Sequence, residues 1–487
     1  MNVVYILSDR HNAEFAGCYG NAVTRTPNID QIAETGTRFD SAYCVSPICV
    51  PTRAAMMTGR YVHEIGAWDN AFPYTGVPRG WGHYFREQGV CFTTVGKLDF
   101  LPGVDHGIEE ERLPLHRESL DIVSLFRDQE MQPRFQYLSP HRATGPADSL
   151  DAFATDIRAA EAAARWLSEE RPADRPWILT VHFNDLHRPW KPPQDLWDHY
   201  DPLIRVEGLD ERFTEDRSRL HPYHRTIARH HLGEHLDLHD SRRALVGYHA
   251  SCEVLDRNVG RVLRALDETG LRGETLVVYS ADHGGMCGEH RSWDHGPVYN
   301  ESIRIPLVFS GPGIRAGGAE STAVSALDVF PTLCEAVGLE RPVEMRGVSL
   351  LGLLRGEADA PRPAFSLTEY HANGFPRSVF ALHSGPFKFV ECVGERPMLF
   401  NLEEDPHEMR DLALERPEDP HTKATLHRLR KMLCEVCSPE AVDARARADQ
   451  ERLRQELRAS GRLVEEMWKR GYEKNPDRLI HRPEFLP

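Results

Sequence analysis

"TLVVYSADHGGMCGEH", Thr275 to His290, holds both halves of the fold argument. Its opening run is apolar and rich in β-branched residues, with no polar alternation, the pattern of a strand buried on both faces. It then breaks into a carboxylate, Asp282, an imidazole, His283, and two glycines that let backbone approach a ligand closely. Three more runs share the texture: "VVYIL" from Val3, "WILTVHF" from Trp177 and "IPLVFSGPG" from Ile305. Helical patterns lie between them. In "YHASCEVLDRNVGRVLRALDETG", Tyr248, Cys252, Leu255, Val259, Val262 and Leu266 recur every three to four residues, and Gly270 closes the helix. Strand and helix in alternation predict an α/β fold around a large mixed, mostly parallel sheet flanked by helices. Functional groups in such sheets gather on loops beyond the carboxyl ends of the strands.

The texture changes near residue 365. "FKFVECVGERPMLFNLEEDPHEMRDL" alternates short strand-like segments with turns and predicts a smaller antiparallel-sheet subdomain followed by a helix. From Pro439 the chain is charged and helical, and it ends in "NPDRLIHRPEFLP", an arm over a neighbouring surface. The expected units are therefore 1–365, 366–438 and 439–487. A formal charge of −16 argues against nucleic acid or an anionic membrane as partner. No apolar run reaches the roughly 18 residues of a membrane span. "MNVVYILSD" reads as a strand rather than a leader with a basic start and cleavage site, which places the chain in the cytoplasm. The ten cysteines have no framework spacing and are expected as reduced thiols. Cys434 and Cys437 in "CEVC" lack a second pair or a histidine at zinc-finger distance, so they read as a helix face rather than a metal site.

Four places carry chemistry. Asp9, ahead of His11 and Asn12, ends the first strand, where a hard-cation ligand or an ordinary turn carboxylate reads equally well. Asp282 and His283 form a metal half-site in one reading; a lone pair of this kind in a loop more often just faces water, but the glycines and the strand-end position favour the metal. His182 and His187 follow the "WILTVHF" strand, and a histidine there serves either structure or as acid to a leaving group. The fourth is "SPICVPTRAAMMTGRY", Ser46 to Tyr61. Cys49 has no base signature beside it, as a thiolate nucleophile would want, while Arg53 lies one helical turn on and can hold an anion or stabilise an oxygen nucleophile.

These residues match a known pattern. "CVPTRAAMMTGRY" resembles the C-x-P-x-R signature of sulfatases in the alkaline phosphatase superfamily, "VGKLDF" their glycine–lysine signature, and "ADHGGMCGEH" their metal loop. "YNESIRIPLVFSGPG" and "SALDVFPTL" resemble the usual continuation, and the order holds from "SDRHNAEFAGCYGN" to "LFNLEEDPHE". Within the family, "GRYVHEIGAWDNA", "EYHANG" and the charged C-terminal segment look choline-sulfatase-like, whereas "GKLDF" is closer to arylsulfatase K-like members.

The resemblance implies an alkaline phosphatase-like catalytic domain and a sulfuric ester hydrolase. It implies that Cys49 is oxidised by a formylglycine-generating enzyme, with Pro51 and Arg53 part of what that enzyme reads. A divalent cation, Ca²⁺ first and Mn²⁺ as an alternative, would be held by Asp9, residue 49, Asp282 and His283. Arg53 would stabilise the alkoxide, Lys97 would bind sulfate oxygens, and His187 would serve the departing alcohol. His63 and Asn70 fall where the family places substrate-binding groups. His295 stands where a lysine is usual, and a histidine makes sulfate binding more pH-dependent. Asp99 stands where a histidine is common, and it adds negative charge unless Lys97 or a cationic substrate group pairs with it. Val50 replaces a small or polar residue but leaves C-x-P-x-R intact.

The substrate implied is a small-molecule or sugar sulfate ester. A phosphonate monoester or phosphodiester hydrolase of the same superfamily is the alternative, and a catalytically silent binding protein the reading from another class. Trp68, Tyr74, Tyr370 and His371 are candidates for an aromatic wall suited to a choline-like head group, with core aromatics as the competing reading. The C-terminal extension makes a homo-oligomer plausible.

Overall fold

The computed structural model describes residues 1–371 and 375–486. The last three residues of "EYHANG" therefore lie outside the described residues. Among the described residues, eight strands form the main sheet: β1 (Asn2–Ser8), β2 (Gly36–Phe39), β3 (Cys91–Lys97), β4 (Glu110–Leu115), β5 (Trp177–Phe183), β6 (Thr275–Ala281), β7 (Leu307–Ser310) and β8 (Gly318–Glu320). Their spatial order is β8-β2-β7-β6-β1-β5-β3-β4. All neighbours run parallel except β7, which is antiparallel to both β6 and β2.

β1 is buried along almost its whole length because each face meets its own core. Val3, Tyr5 and Leu7 pack with Leu276, Val278 and Phe309 on one side. Val4 and Ile6 pack with Leu179, Val277 and Val308 on the other. The period of two thus divides one apolar run between two layers. The first layer holds helices α2 (Cys49–Thr58) and α5 (Val329–Ala336). The second holds α1 (Pro27–Glu34), α3 (Ala154–Arg165) and α4 (Leu238–Glu268). The sequence pattern locates α4 only from Tyr248, yet the helix begins ten residues earlier. Asp237 caps it, accepting from the backbone N–H groups of His239 and Asp240, while Asp240 reaches back to the Asp237 N–H.

A separate four-stranded antiparallel sheet follows, made of β9 (Ser366–Tyr370), β10 (Val379–Ser384), β11 (Phe387–Cys392) and β12 (Met398–Asn401). Leu367, Phe380, Leu382 and Phe389 join the first-layer core, and the Glu369 N–H bonds the Val45 carbonyl. Helices α6 (Pro420–Val436), α7 (Pro439–Ala459) and α8 (Arg462–Lys469) complete the chain. Cys434 lies exposed on α6 and Cys437 at its end, and all ten cysteines are free thiols. The C-terminal segment returns over the body of its own chain: Leu457, Leu463, Met467 and Tyr472 pack against Ile122, Val123 and Phe126. No helix among the described residues is long and apolar enough to cross a membrane.

Candidate active site

β1 organises the site because its two neighbours, β5 and β6, come from distant parts of the chain. Register pairs Ser8 with Phe183 on one side and with Ala281 on the other. The Asp9 N–H then bonds the Phe183 carbonyl at 2.9 Å and the Asp282 N–H bonds the Ser8 carbonyl at 3.0 Å. Two carboxylates are thereby fixed side by side at one carboxyl edge. His11 and Asn12 turn elsewhere: His11 Nδ1 meets the Tyr279 hydroxyl at 2.6 Å, and Asn12 caps a short turn through Glu14.

Helix α2 delivers Cys49 to the same edge. Its N-terminus is at Cys49, so Pro51 falls in the first turn, where the missing N–H costs no helical hydrogen bond. The Val50 N–H donates to Asn70 Oδ1 at 3.1 Å, satisfying one orphan donor of that turn. Alanine and methionine sustain the helix, all ten residues are buried, and Gly59 closes it at φ 63°. Cys49 Sγ lies 3.3 Å from His283 Nε2 and 3.9 Å from Asp9 Oδ1. One donor atom from each of Asp9, Cys49, Asp282 and His283 lies within 4.8 Å of the others. His283 Nδ1 is 2.7 Å from the Gly284 carbonyl, which fixes the proton on Nδ1 and leaves the Nε2 lone pair facing the group. Two carboxylates, an imidazole nitrogen and the side chain at 49 therefore fit a divalent cation.

Arg53 lies on the face of α2 that the spacing predicts. Its Nε donates to Asp282 Oδ2 at 2.8 Å and its Nη2 to Asp9 Oδ2 at 3.3 Å, while Nη1 donates to the Lys97 carbonyl at 2.6 Å. His182 Nδ1 sits 3.1 Å from the same Nη1, so this histidine positions Arg53 from below. Lys97 is set by its neighbour Gly96, at φ 91°: a Cβ there would fall 2.2 Å from the His182 carbonyl, so β3 and β5 could not close. Lys97 Nζ donates to Asp9 Oδ2 at 2.5 Å and stands 3.2 Å from His187 Nε2. His187 Nε2 is also 2.9 Å from Asp9 Oδ1, and its side chain is 36% exposed at the cleft mouth.

The charges follow from these contacts. Burial raises the carboxyl of Asp9, but Lys97, His187 and Arg53 outweigh it and hold Asp9 well below its ordinary value. Burial and then the Asp9 charge push Asp282 up. Burial, reinforced by Asp9, also pushes the Cys49 thiol far above its usual range, so that without a cation beside it the thiol stays protonated. Asp99 is buried at φ 59°, 3.3 Å from Lys97 Nζ and 3.5 Å from Arg117 Nη1. The extra negative charge expected from Asp99 is thus neutralised within the protein. His295 lines the cleft, 3.3 Å from Asp294. Burial, then Arg10 and His283, lowers it well below the ordinary imidazole range and keeps it neutral.

The cleft, of about 200 Å³, is lined by Cys49, Asn70, Lys97, His187 and His295. His63 is not among its lining residues. Its Nδ1 is 2.8 Å from Glu369 Oε1, and its backbone N–H donates to the other oxygen of that carboxylate. The aromatic-wall candidates do not line it either. Trp68, Tyr74, Tyr370 and His371 are all buried, with Trp68 packed edge-on to His371 and Tyr74 edge-on to Phe100. They are core, as apolar surface favours. A larger depression of about 460 Å³ beside His224, Tyr299 and Glu408 contains none of the predicted ligands. Sequence reasoning missed Arg10, Arg117, Asp121, Arg134, Asp294 and Arg470, all of which line the cleft. Arg10 stands beside Asp9 in "SDRHN" and Asp294 beside His295 in "WDHG", but the others come from loops and the C-terminal segment, with no motif to mark them.

Comparison with known proteins agrees with this geometry. The Sulfatase family profile matches residues 1–339, and a profile described as N-sulphoglucosamine sulphohydrolase, C-terminal, matches residues 288–437. The chain is 30% identical over 472 residues to a choline-sulfatase of Rhizobium meliloti (strain 1021), covering 93% of this chain and 90% of that protein. It is 27% identical over 442 residues to arylsulfatase K of Danio rerio, covering 86% and 81% respectively. Among solved structures, the phosphonate monoester hydrolase of Agrobacterium radiobacter has the same fold, with a TM-score of 0.70 at 21% identity over 91% of this chain and 96% of that one. With the profile running through the whole main sheet and the ordered motifs converging on one cleft, the chain belongs to the sulfatase family and is a sulfuric ester hydrolase.

Proposed function

We propose that this sulfatase works through residue 49 after its oxidation from cysteine to formylglycine, beside one divalent cation held by Asp9, Asp282, His283 and residue 49. The observation that carries the reading is the convergence of these four side chains within 4.8 Å, next to Arg53 and Lys97. The hydrated aldehyde would supply an oxygen nucleophile for sulfur, and the cation would polarise the sulfate oxygens and acidify that hydroxyl. The donors are mostly oxygen with one imidazole, which suits Ca²⁺ first and Mn²⁺ second.

The chain's own groups do the rest. Arg53 offsets negative charge at residue 49 and holds both carboxylates in place. Lys97 stays protonated, because Asp9 and Asp99 outweigh its burial, and it binds sulfate oxygens. His187, at the mouth, is neutral before substrate binds, because burial, with Lys97 and Arg10, outweighs Asp9 and lowers it to about 3. An arriving sulfate charge would raise it, and it would then give its proton to the departing alcohol oxygen as the S–O bond breaks. Neutral His295 contributes a hydrogen bond rather than a charge to sulfate. Asn70 fixes the first turn of α2 from the cleft wall, while His63 pairs with Glu369 outside the cleft lining.

The substrate is a sulfate monoester of a small alcohol or sugar. The same proposal takes a formylglycine-generating enzyme as partner and keeps the units 1–365, 366–438 and 439–487. It places the protein in the cytoplasm, supported by ten free thiols. It also includes self-association through the outer face of the C-terminal extension, where Trp468 is 48% exposed; light scattering tests that part.

Co-expression with a formylglycine-generating enzyme should lower the intact mass by about 18 Da at Cys49 and yield metal-dependent release of sulfate. Full activity in Cys49→Ala, or in protein retaining the thiol, overturns the nucleophile. Parallel assays on aryl sulfate, phosphodiester and phosphonate esters separate the sulfatase from the phosphonate-type alternative: preference for the phosphorus esters would favour the latter.

A further inference from the structure

The cleft wall carries more positive charge than a single sulfate ester needs. Six cationic side chains line it, Arg10, Lys97, Arg117, Arg134, Arg188 and Arg470, against two carboxylates, Asp121 and Asp294. Lys97, paired with Asp9 and Asp99, and Arg10, paired with Asp294, are engaged at the reaction end in contact with His187, and Arg117 answers Asp99. Arg134, Arg188 and Arg470 remain on the outer wall. Arg188 is 6% exposed; Asp294 takes one of its nitrogens, and Nε and Nη1 are buried without a hydrogen-bond partner. Arg134, 4% exposed, donates Nη2 to Asp121 at 3.0 Å and leaves Nε unpartnered. Both guanidiniums lie over the Tyr137 ring, at 4.6 and 5.2 Å, which fixes their planes. Arg470 comes from the C-terminal extension and donates to the Ser119 and Leu120 carbonyls and the Ser119 hydroxyl.

Buried guanidinium donors left unmade are costly, and planar forks of this kind match carboxylate or sulfate oxygens. Burial, then Arg10 and Arg134, lowers the Arg188 guanidinium well below its ordinary value, which marks a place short of negative charge. A quaternary ammonium head group would meet repulsion here, and Tyr137 is already covered by arginines.

We propose that Arg134, Arg188 and Arg470 form a second anion subsite, so that the preferred substrate is a sulfate ester bearing another negative group, a carboxylate or a second sulfate. This rests on the sulfatase reading above and specifies its substrate class. Arg470 makes the C-terminal extension part of specificity.

Four esters test it on the Ca²⁺-loaded, formylglycine-bearing enzyme: a uronic acid monosulfate, a neutral hexose disulfate, the matching neutral hexose monosulfate and choline sulfate. The doubly anionic esters should exceed the neutral monosulfate by about tenfold or more in kcat/KM, chiefly through KM, with choline sulfate poorest. Arg470→Gln should cost the doubly anionic esters about tenfold more than the neutral one. The two acidic arms tell carboxylate from sulfate. Equal kcat/KM for neutral and acidic esters in the wild type overturns the subsite even if Arg470→Gln fails to fold, and so does an equal loss for both in a folded variant. Calorimetry on Cys49→Ala with the same ligands separates the two readings. Selective binding of the acidic ligands without turnover of any ester in the active form would retain the subsite and overturn the mechanism; turnover without selectivity would do the reverse.

Discussion

Replacing Arg53 with methionine isolates the electrostatics of the site. The side chain is 2% exposed and bonds two carboxylates that are fully buried. In Arg53→Met, Asp9 keeps Lys97 at 2.5 Å and His187 at 2.9 Å. Asp282 keeps only the backbone N–H groups of Arg10, at 3.1 Å, and His283, at 2.8 Å. Stranding one buried charge costs about 3–5 kcal/mol. An unfolding entropy of about 2.1 cal/mol/K per residue gives about 1 kcal/mol/K for a chain of this length, so the melting temperature should fall by about 3–5 °C. The proposed divalent cation beside the same carboxylates would restore the missing charge. Calorimetric scans at one fixed rate, in chelator and then in saturating Ca²⁺, should show a large deficit in chelator that Ca²⁺ narrows, with activity lost in both. A deficit below about 1 °C in chelator, or an equal Ca²⁺ increment in variant and wild type, would refute the view that Arg53 serves as counter-charge to the cation's own ligands.

Lys97→Ala should lower kcat about 10²–10³-fold, measured by sulfate release at saturating substrate, and should also lower the melting temperature, because the buried Asp9 and Asp99 lose its charge. Gly96→Ala should cost both activity and stability, because its Cβ meets the His182 carbonyl at 2.2 Å and the φ of 91° is strained for alanine; wild-type kcat in that variant would mean that β3 does not set Lys97. Glu369 gives a pH test. Burial raises its carboxyl, but His63 and His371 bring it down to about 2, below its ordinary 4.5. A depressed carboxyl stabilises above its unfolded value and loses that contribution as pH falls through its folded one. About 3 kcal/mol should therefore disappear between pH 4.5 and 2, and Glu369→Gln should remove that slope from acid unfolding curves.

How much of this was legible depended on whether a residue sits at a strand end or in a loop. β1, β5, β6 and β7 announce themselves because strands buried on both faces need unbroken apolar runs. Asp9 and Asp282 follow as the residues where those runs stop, and Arg53 from its helical spacing to Cys49. β3 is harder to see because Thr93 and Thr94 interrupt it, so Lys97 rests on its glycine–lysine motif. Arg117, Arg134 and Arg470 are invisible in sequence because tertiary contacts alone bring them to the cleft. The aromatic wall failed for the opposite reason: Trp68 and Tyr370 look like ligand groups in isolation, but large aromatic surface is most stable in the core.

The burial of α2 has a consequence in time. Cys49 is 3% exposed, and every residue of its helix is covered. The proposed formylglycine-generating enzyme, if it grips Cys49, Pro51 and Arg53 together, could not reach them in the finished molecule. β1 acquires its second neighbour only when β6 has been made, roughly 230 residues after Cys49, and at about 5–20 residues per second that leaves roughly 10–50 s. The proposed oxidation of this cysteine would thus be a race against the ribosome, and conditions that speed elongation or folding should then raise the fraction of molecules that keep the thiol.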